Sequence, residues 1–271
     1  MRFYFAPLEG ITGYIYRNAH QKYFSGIDRY YSPFVVTRDG GIMKKKELRD
    51  ILPENNQGIP LIPQILTNHS ENFLHAAEQM RELGYQEINL NLGCPSGTVS
   101  AKGRGAGFLR WECRTRLQHF LDEIFTEAQV NISVKTRIGW DDPEEFEDLL
   151  QLYNEYPICE LTIHPRTRQE FYKGNVHRDA FALAYEKSKN PVCYNGDICT
   201  PEDYQELVRE FPDLSAVMIG RGLLADPSLV GRIGGETMEK ETLWEFYQTV
   251  FSEYQKVLSG DTPLLFKMKE L

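Results

Sequence analysis

Short apolar runs alternate with longer amphipathic stretches from one end of the chain to the other. The runs fall at residues 3–8, 30–36, 59–66, 87–92, 132–138, 160–164, 192–195 and 216–219. Their length suits buried strands, and the stretches between them are long enough for crossover helices. Strands spaced in this way predict an α/β fold, a (β/α)8 TIM barrel, in preference to a six-stranded dinucleotide-binding sheet. Between the runs, Asn68 or Ser70 can cap a helix whose apolar face is Phe73, Leu74, Ala77 and Met80, and Gly84 stops it. Asp142-Pro143 opens another helix, bearing Phe146, Leu149 and Leu150.

The barrel is expected to end near Gly234-Gly235, which divides the chain into a barrel over 1–235 and a helical appendage over 236–271. Leu243, Phe246, Val250, Tyr254 and Leu258 make one apolar helix face in that appendage, which must pack on the barrel or on a partner. The helical pattern restarts at 264–271 and stops abruptly, so the appendage reads as short or truncated.

The net charge of −9 argues against a surface coated with basic residues for indiscriminate phosphate binding. Local basic groups remain: Lys44, Lys45 and Lys46; Lys102 with Arg104; and Arg166, Arg168, Lys173 and Arg178. The five cysteines lack paired metal-binding spacing, so no metal site is expected. With no secretory leader before Tyr4-Phe5-Ala6-Pro7, they fit a reducing cytoplasmic compartment better than a disulfide framework. No apolar span is long enough for a membrane helix, so no membrane partner is expected.

A parallel barrel gathers functional side chains at the carboxyl ends of its strands. Polar candidates stand there in turn: Gln64, then Asn91 and Cys94, Lys135 and Arg137, His164 and Arg166, Asn195, and Arg221. Pro95 ends the fourth strand just after Cys94, which leaves a thiol at the mouth that can act as a proton donor. Lys135 can stabilise negative charge on a reduced isoalloxazine, and the Gln64 amide can read ring heteroatoms. Asn195-Gly196-Asp197 and Gly220-Arg221-Gly222 allow close backbone approach and a guanidinium at a terminal phosphate. FMN therefore suits the chain better than a dinucleotide. Gly103-Arg104-Gly105-Ala106-Gly107 lacks the strand-to-helix setting of a dinucleotide fingerprint and is expected to be a mobile loop that closes Cys94 over substrate. Structural pairing suits Arg137 and Arg166 equally well.

These segments resemble the tRNA-dihydrouridine synthase family. The resemblance runs from Ala6-Pro7-Leu8-Glu9-Gly10 through Gln64, Asn91-Leu92-Gly93-Cys94-Pro95, Val134-Lys135-Thr136-Arg137, His164-Pro165-Arg166-Thr167-Arg168, Asn195-Gly196-Asp197 and Gly220-Arg221-Gly222. It implies an FMN oxidoreductase that uses NADPH to reduce a uridine in tRNA to 5,6-dihydrouridine, with hydride going to C6 and the Cys94 proton to C5. It assigns Asn91 to the uracil, and Pro7, Leu8, Gln64, Lys135 and His164 to the flavin surroundings. Asn195, Gly196, Gly220 and Arg221 match phosphate-binding positions, and Arg166 contacts the phosphate or the RNA. Residues 236–271 correspond to part of a helical tRNA-binding domain. Leu8 stands where the family often has methionine, and Pro165 where it often has glycine. Two other readings remain open: another FMN-dependent barrel oxidoreductase acting on a small molecule, and a catalytically silent RNA-binding protein. Exposed, nonconvergent Lys135 and Cys94 would favour the silent reading, in which a cofactor-like pocket is retained.

Overall fold

A computed structural model describes residues 1–37 and 43–271. Its sheet is parallel throughout and contains β1 (Arg2–Phe5), β2 (Arg29–Tyr31), β3 (Val35–Val36), β4 (Leu61–Ile62), β5 (Gln64–Leu66), β6 (Glu87–Leu92), β7 (Asn131–Arg137), β8 (Leu161–His164), β9 (Val192–Tyr194) and β10 (Ala216–Ile219). The hydrogen-bonded order is β3-β5-β6-β7-β8-β9-β10-β1-β2-β4. Helices occupy most of the connections, as parallel pairing requires.

The expected closed eight-stranded barrel is corrected here. The sheet has ten strands, curls through 322° and leaves its edges 12 Å apart, an open TIM-barrel-like sheet. Proline is the physical reason. Pro33 separates β2 from β3 and Pro63 separates β4 from β5, because a residue without an N–H cannot continue a ladder. The two expected strands at 30–36 and 59–66 thus become four short ones. Ser32 spans the breaks, its N–H on Ile62 O at 3.1 Å and its Oγ accepting from the Gln64 N–H at 3.0 Å.

Most buried apolar residues lie between the sheet and the helices. Phe73, Ala77 and Met80 of the Ser70–Glu82 helix pack there with Phe120, Leu121, Phe146 and Leu149. A smaller cluster of Tyr4, Ala6, Tyr31, Cys193, Ala216 and Met218 lies apart from that core. Its polar seal is Glu160, just before β8, which accepts from the Tyr4 hydroxyl at 2.8 Å and the Tyr31 hydroxyl at 3.3 Å. The amino end of the sheet is thereby filled, and the carboxyl ends are where space remains.

The helix Lys240–Val257 docks on the barrel helix Tyr14–Tyr23. Phe246 is fully buried, with ring centroids of Tyr16 at 5.4 Å and Phe24 at 5.2 Å. The expected apolar face therefore closes on the barrel itself. In the following helix, Asp261–Lys269, Leu264 is buried while Leu265 and Phe266 stay about two-thirds exposed, at 64% and 66%. No helix among the described residues is long and apolar enough to cross a membrane.

The Gly103–Gly107 stretch also departs from expectation. Gly105, Ala106 and Gly107 are buried in a short 3-10 turn, Gly105–Leu109, and Ala106 N–H bonds to Cys94 O at 3.1 Å. A Cβ on Gly107 would sit 2.4 Å from Ser100 O, and one on Gly105 would sit 3.0 Å from Cys94 Cβ. Glycine serves close packing here. In this structure the segment packs as a wall behind Cys94.

Candidate active site

The carboxyl ends of the strands surround a cavity of about 900 Å³, counting its open mouth. Cys94, Asn91, Pro7, Leu8, Gln64, Lys135, His164, Asn195, Gly196, Gly220 and Arg221 all line it. Lys135 and Cys94 therefore converge. Its wall mixes apolar side chains with a few convergent polar groups, as small-molecule and cofactor sites do.

Asn91, at the end of β6, sets the position of Cys94. Its Oδ1 accepts from the Gly93 N–H at 3.0 Å and the Cys94 N–H at 2.9 Å, and its Nδ2 donates to Gln64 Oε1 at 2.7 Å. Gln64 in turn donates to Asn89 Oδ1 at 2.7 Å, and Asn89 to Ser133 Oγ at 3.0 Å. This chain of amides fixes which end of each side chain is oxygen, and leaves Asn91 and Gln64 one N–H apiece. Burial pushes the Cys94 thiol above its ordinary pKa, outweighing nearby Arg137 and Lys135. The sulfur is thus held protonated near neutral pH, as a proton donor must be.

The wall beside them, on the neighbouring strand β7, is cationic. Burial, with Arg137 nearby, lowers Lys135 to about 8, and burial lowers Arg137 to about 10. Arg137 donates to Gly93 O at 2.9 Å and Thr167 O at 2.8 Å. Lys135 makes no hydrogen bond or ion pair among the described residues, and so remains available to an anionic ligand. His164 is held well below the usual histidine range by burial and then by the surrounding Arg137, Lys135, Arg166 and Arg221. Its ring is neutral.

Arg166 lies apart from its expected place. It is 1% exposed and does not line the cavity. Asp197 holds it at 2.6 Å and 3.1 Å, Gly174 O at 2.5 Å and Lys173 O at 3.2 Å, and it faces His164 Nε2 at 3.2 Å. Every guanidinium N–H has a partner within the protein, so none is left over in this structure for RNA or a phosphate. Because a guanidinium only donates, His164 Nε2 accepts and the imidazole proton sits on Nδ1. Arg166 thus lies against His164 from behind the cavity wall.

At the other end, Asp197 also pairs with Arg221. The N–H groups of Gly196, Gly220, Arg221 and Gly222 find no acceptor among the described residues. Gly222 has no alternative, since a Cβ there would lie 2.0 Å from Ile198 O. Open amides beside an arginine suit a phosphate dianion. Asn195 spends one N–H on Met218 O at 2.7 Å and braces the neighbouring strand. Leu8 N–H is taken by Thr12 Oγ1 at 2.8 Å, so Leu8 offers the cavity packing and no donor. The whole donor set, apolar at Ala6, Pro7 and Leu8, amide at Gln64, cationic at Lys135 and phosphate-seeking at Arg221, fits a heteroaromatic ring with a phosphate tail.

Sequence reasoning gave no role to several wall residues, Ile198 and Cys199 among them. Pro33 and Phe34 line the cavity from the β2–β3 break, and Tyr172 from the loop after β8. Glu9 also lines it, and burial raises its pKa. The proline break could have been found from Pro33 lying inside an apolar run; nothing in the pattern marks Tyr172. Among the described residues no cluster of His, Cys, Asp and Glu could hold a metal ion.

A family model described as "Dihydrouridine synthase (Dus)" matches residues 4–263. A probable tRNA-dihydrouridine synthase of Staphylococcus aureus (strain Mu50 / ATCC 700699) is 28% identical over 265 residues, covering 94% of this chain and 78% of the relative. The tRNA-dihydrouridine synthase B of Pasteurella multocida (strain Pm70) is 28% identical over 243 residues, covering 89% and 71%. Among solved structures, a 2-naphthoyl-CoA reductase complex superimposes with a TM-score of 0.64 at 13% identity, over 86% of this chain and 50% of that one. Morphinone reductase gives a TM-score of 0.59 at 10% identity, over 89% and 88%. At such identity these two structures speak to the fold alone.

Proposed function

The chain belongs to the dihydrouridine synthase family, and we propose that it works with FMN and NADPH, reducing uridine in tRNA to 5,6-dihydrouridine through the residues gathered in this cavity. It is an oxidoreductase. The observation that carries the assignment of roles is the convergence of a protonated thiol, a free ammonium and an open amide cradle on one space.

When bound, reduced FMN supplies the hydride that C6 of the uracil accepts. Lys135 holds the ring edge where negative charge collects, and Gln64 reads its heteroatoms with its remaining N–H. The N–H groups of Gly196, Gly220, Arg221 and Gly222, with the Arg221 guanidinium, hold the phosphate. Asn91 presents its free N–H to the uracil and keeps the Cys94 backbone in place. The Cys94 thiol gives its proton to C5, so that negative charge need not accumulate there. His164, neutral and held by Arg166, donates from Nδ1. Residues 236–271 are proposed as a partial helical domain that helps hold the RNA.

A direct test is to purify the protein, measure bound FMN, reduce it with NADPH under anaerobic conditions and offer unmodified tRNA. Dihydrouridine in the product, located by mass spectrometry, is the expected result. Rapid flavin reduction with no base reduced in any tRNA would favour the small-molecule oxidoreductase.

A further inference from the structure

Beside the cavity mouth runs a row of stacked cations and aromatic rings. The Arg110 guanidinium lies 4.0 Å from the Trp140 ring centroid and Arg168 lies 4.7 Å from it. Arg168 also lies 4.8 Å from the Phe171 ring. The next residue, Tyr172, lines the cavity, with Arg137 5.2 Å and Arg221 5.3 Å from its ring. Three loops, those following β6, β7 and β8, supply the row. They are joined by Arg168 N–H on Gly139 O at 3.0 Å, Gln169 N–H on Trp140 O at 3.2 Å, and Arg168 Nη2 on Ser100 Oγ at 3.3 Å.

Two observations distinguish this row from a brace between loops. Phe171 has φ of 53°, and among the described residues no other non-glycine residue has a positive φ. A bulky side chain avoids that conformation, and strain of this kind collects at sites of function. At this turn three rings cluster near the surface: Phe171 is 38% exposed, Tyr172 49%, and Trp111, next to Arg110, 71%. The chain is also acidic overall, at −9, so arginines gathered at this mouth are a local feature and not a sample of a basic surface.

We propose that Arg110, Trp140, Arg168 and Phe171 form a stacking platform for the unpaired nucleotides that flank the reacting uridine. A base lies on the exposed part of the Phe171 ring, which Arg168 backs, and the arginines draw the adjoining phosphates. Sequence-tolerant stacking of this type suits an enzyme that must pull one base from a folded loop and steady its neighbours. The proposal rests on the tRNA-reducing reading above, and names the residues outside the cavity that hold the RNA.

Phe171→Gly and Arg168→Lys separate the possibilities. Glycine removes the ring at a φ that glycine adopts freely, so stability should hold. Lysine keeps the charge and loses the planar face. Tested as holoenzymes, each variant should bind unmodified tRNA about tenfold more weakly than wild type, with unchanged melting temperature and unchanged reduction of FMN by NADPH. The loss should appear with a single-stranded uridine oligonucleotide and not with an RNA duplex. If Phe171→Gly does not fold, Arg110→Lys takes its place beside Arg168→Lys, with the same expectation. Wild-type affinity in both variants would overturn the platform and leave a brace between loops. A raised KM for NADPH with intact RNA binding would overturn it in favour of a site for the dinucleotide's adenine. A wild-type protein that reduces FMN but binds no tRNA would sink the tRNA reading and the platform together.

Discussion

His20 and His164 are both buried imidazoles, and burial pushes both below the usual histidine pKa. Their surroundings differ in kind. His20 sits among the rings of Phe5, Phe24, Tyr30 and Phe246, with Nδ1 at 2.8 Å from the Tyr30 hydroxyl and Nε2 at 3.0 Å from Pro227 O. Both nitrogens are satisfied internally. His164 sits among Lys135, Arg137, Arg166 and Arg221, beside a cavity, with one nitrogen fixed by Arg166 and the other free to serve a ligand. Burial alone therefore does not mark a functional histidine. Uncompensated charge around an open space does.

Variants at each place should fail differently. In the aromatic region Phe246→Ala should cost about 3–5 kcal/mol of unfolding free energy, read by urea denaturation, while any protein that remains folded keeps its affinity for FMN. The same region should set the acid limit of stability. His20 has a folded pKa of about 4 against 6.5 unfolded, so the unfolded state binds the proton first. That stability is complete above about pH 6.5 and is lost as pH falls through about 4. The span corresponds to about 3 kcal/mol at most, and a His20→Gln variant should flatten the slope.

In the cationic region the effects should fall on ligand binding. Lys135→Met should leave stability unchanged or raised, because it removes a buried charge, and should weaken FMN binding about tenfold or more, as measured by fluorescence quenching. If stability falls and FMN affinity holds, the comparison is broken. Smaller still is the pH effect on wild type. An anionic ligand raises the pKa of Lys135 from about 8, so binding takes up a proton above that pH. Affinity should be level below about pH 8 and decline above it; Lys135→Met should lose the decline.

The cavity half of this contrast was legible in the sequence, the surroundings of His20 were not, and the exceptions have physical causes. Lys135, Asn91 and Cys94 could be placed because strand alternation and Pro95 locate a strand's carboxyl end in one dimension. Arg166 looked equally placed, but its fate was decided by Asp197, a partner thirty-one positions away that periodicity does not couple to it. The glycines at 103–107 read as freedom of motion, whereas Gly107 meets Ser100 O and Gly105 meets Cys94, contacts that exist only once the loop is folded. Pro33 and Pro63 were visible as letters, yet their effect on sheet closure emerges only from paired strands.

The central claim is that the Cys94 thiol, held protonated by burial, supplies the proton to the base. It is tested most directly by reducing Cys94→Ala and wild-type holoenzyme with NADPH, mixing each anaerobically with unmodified tRNA, and timing dihydrouridine formation. The account predicts equal FMN content and equal reduction by NADPH, with dihydrouridine formation slowed by a factor on the order of 10²–10⁴ in the variant. Formation at the wild-type rate would contradict it.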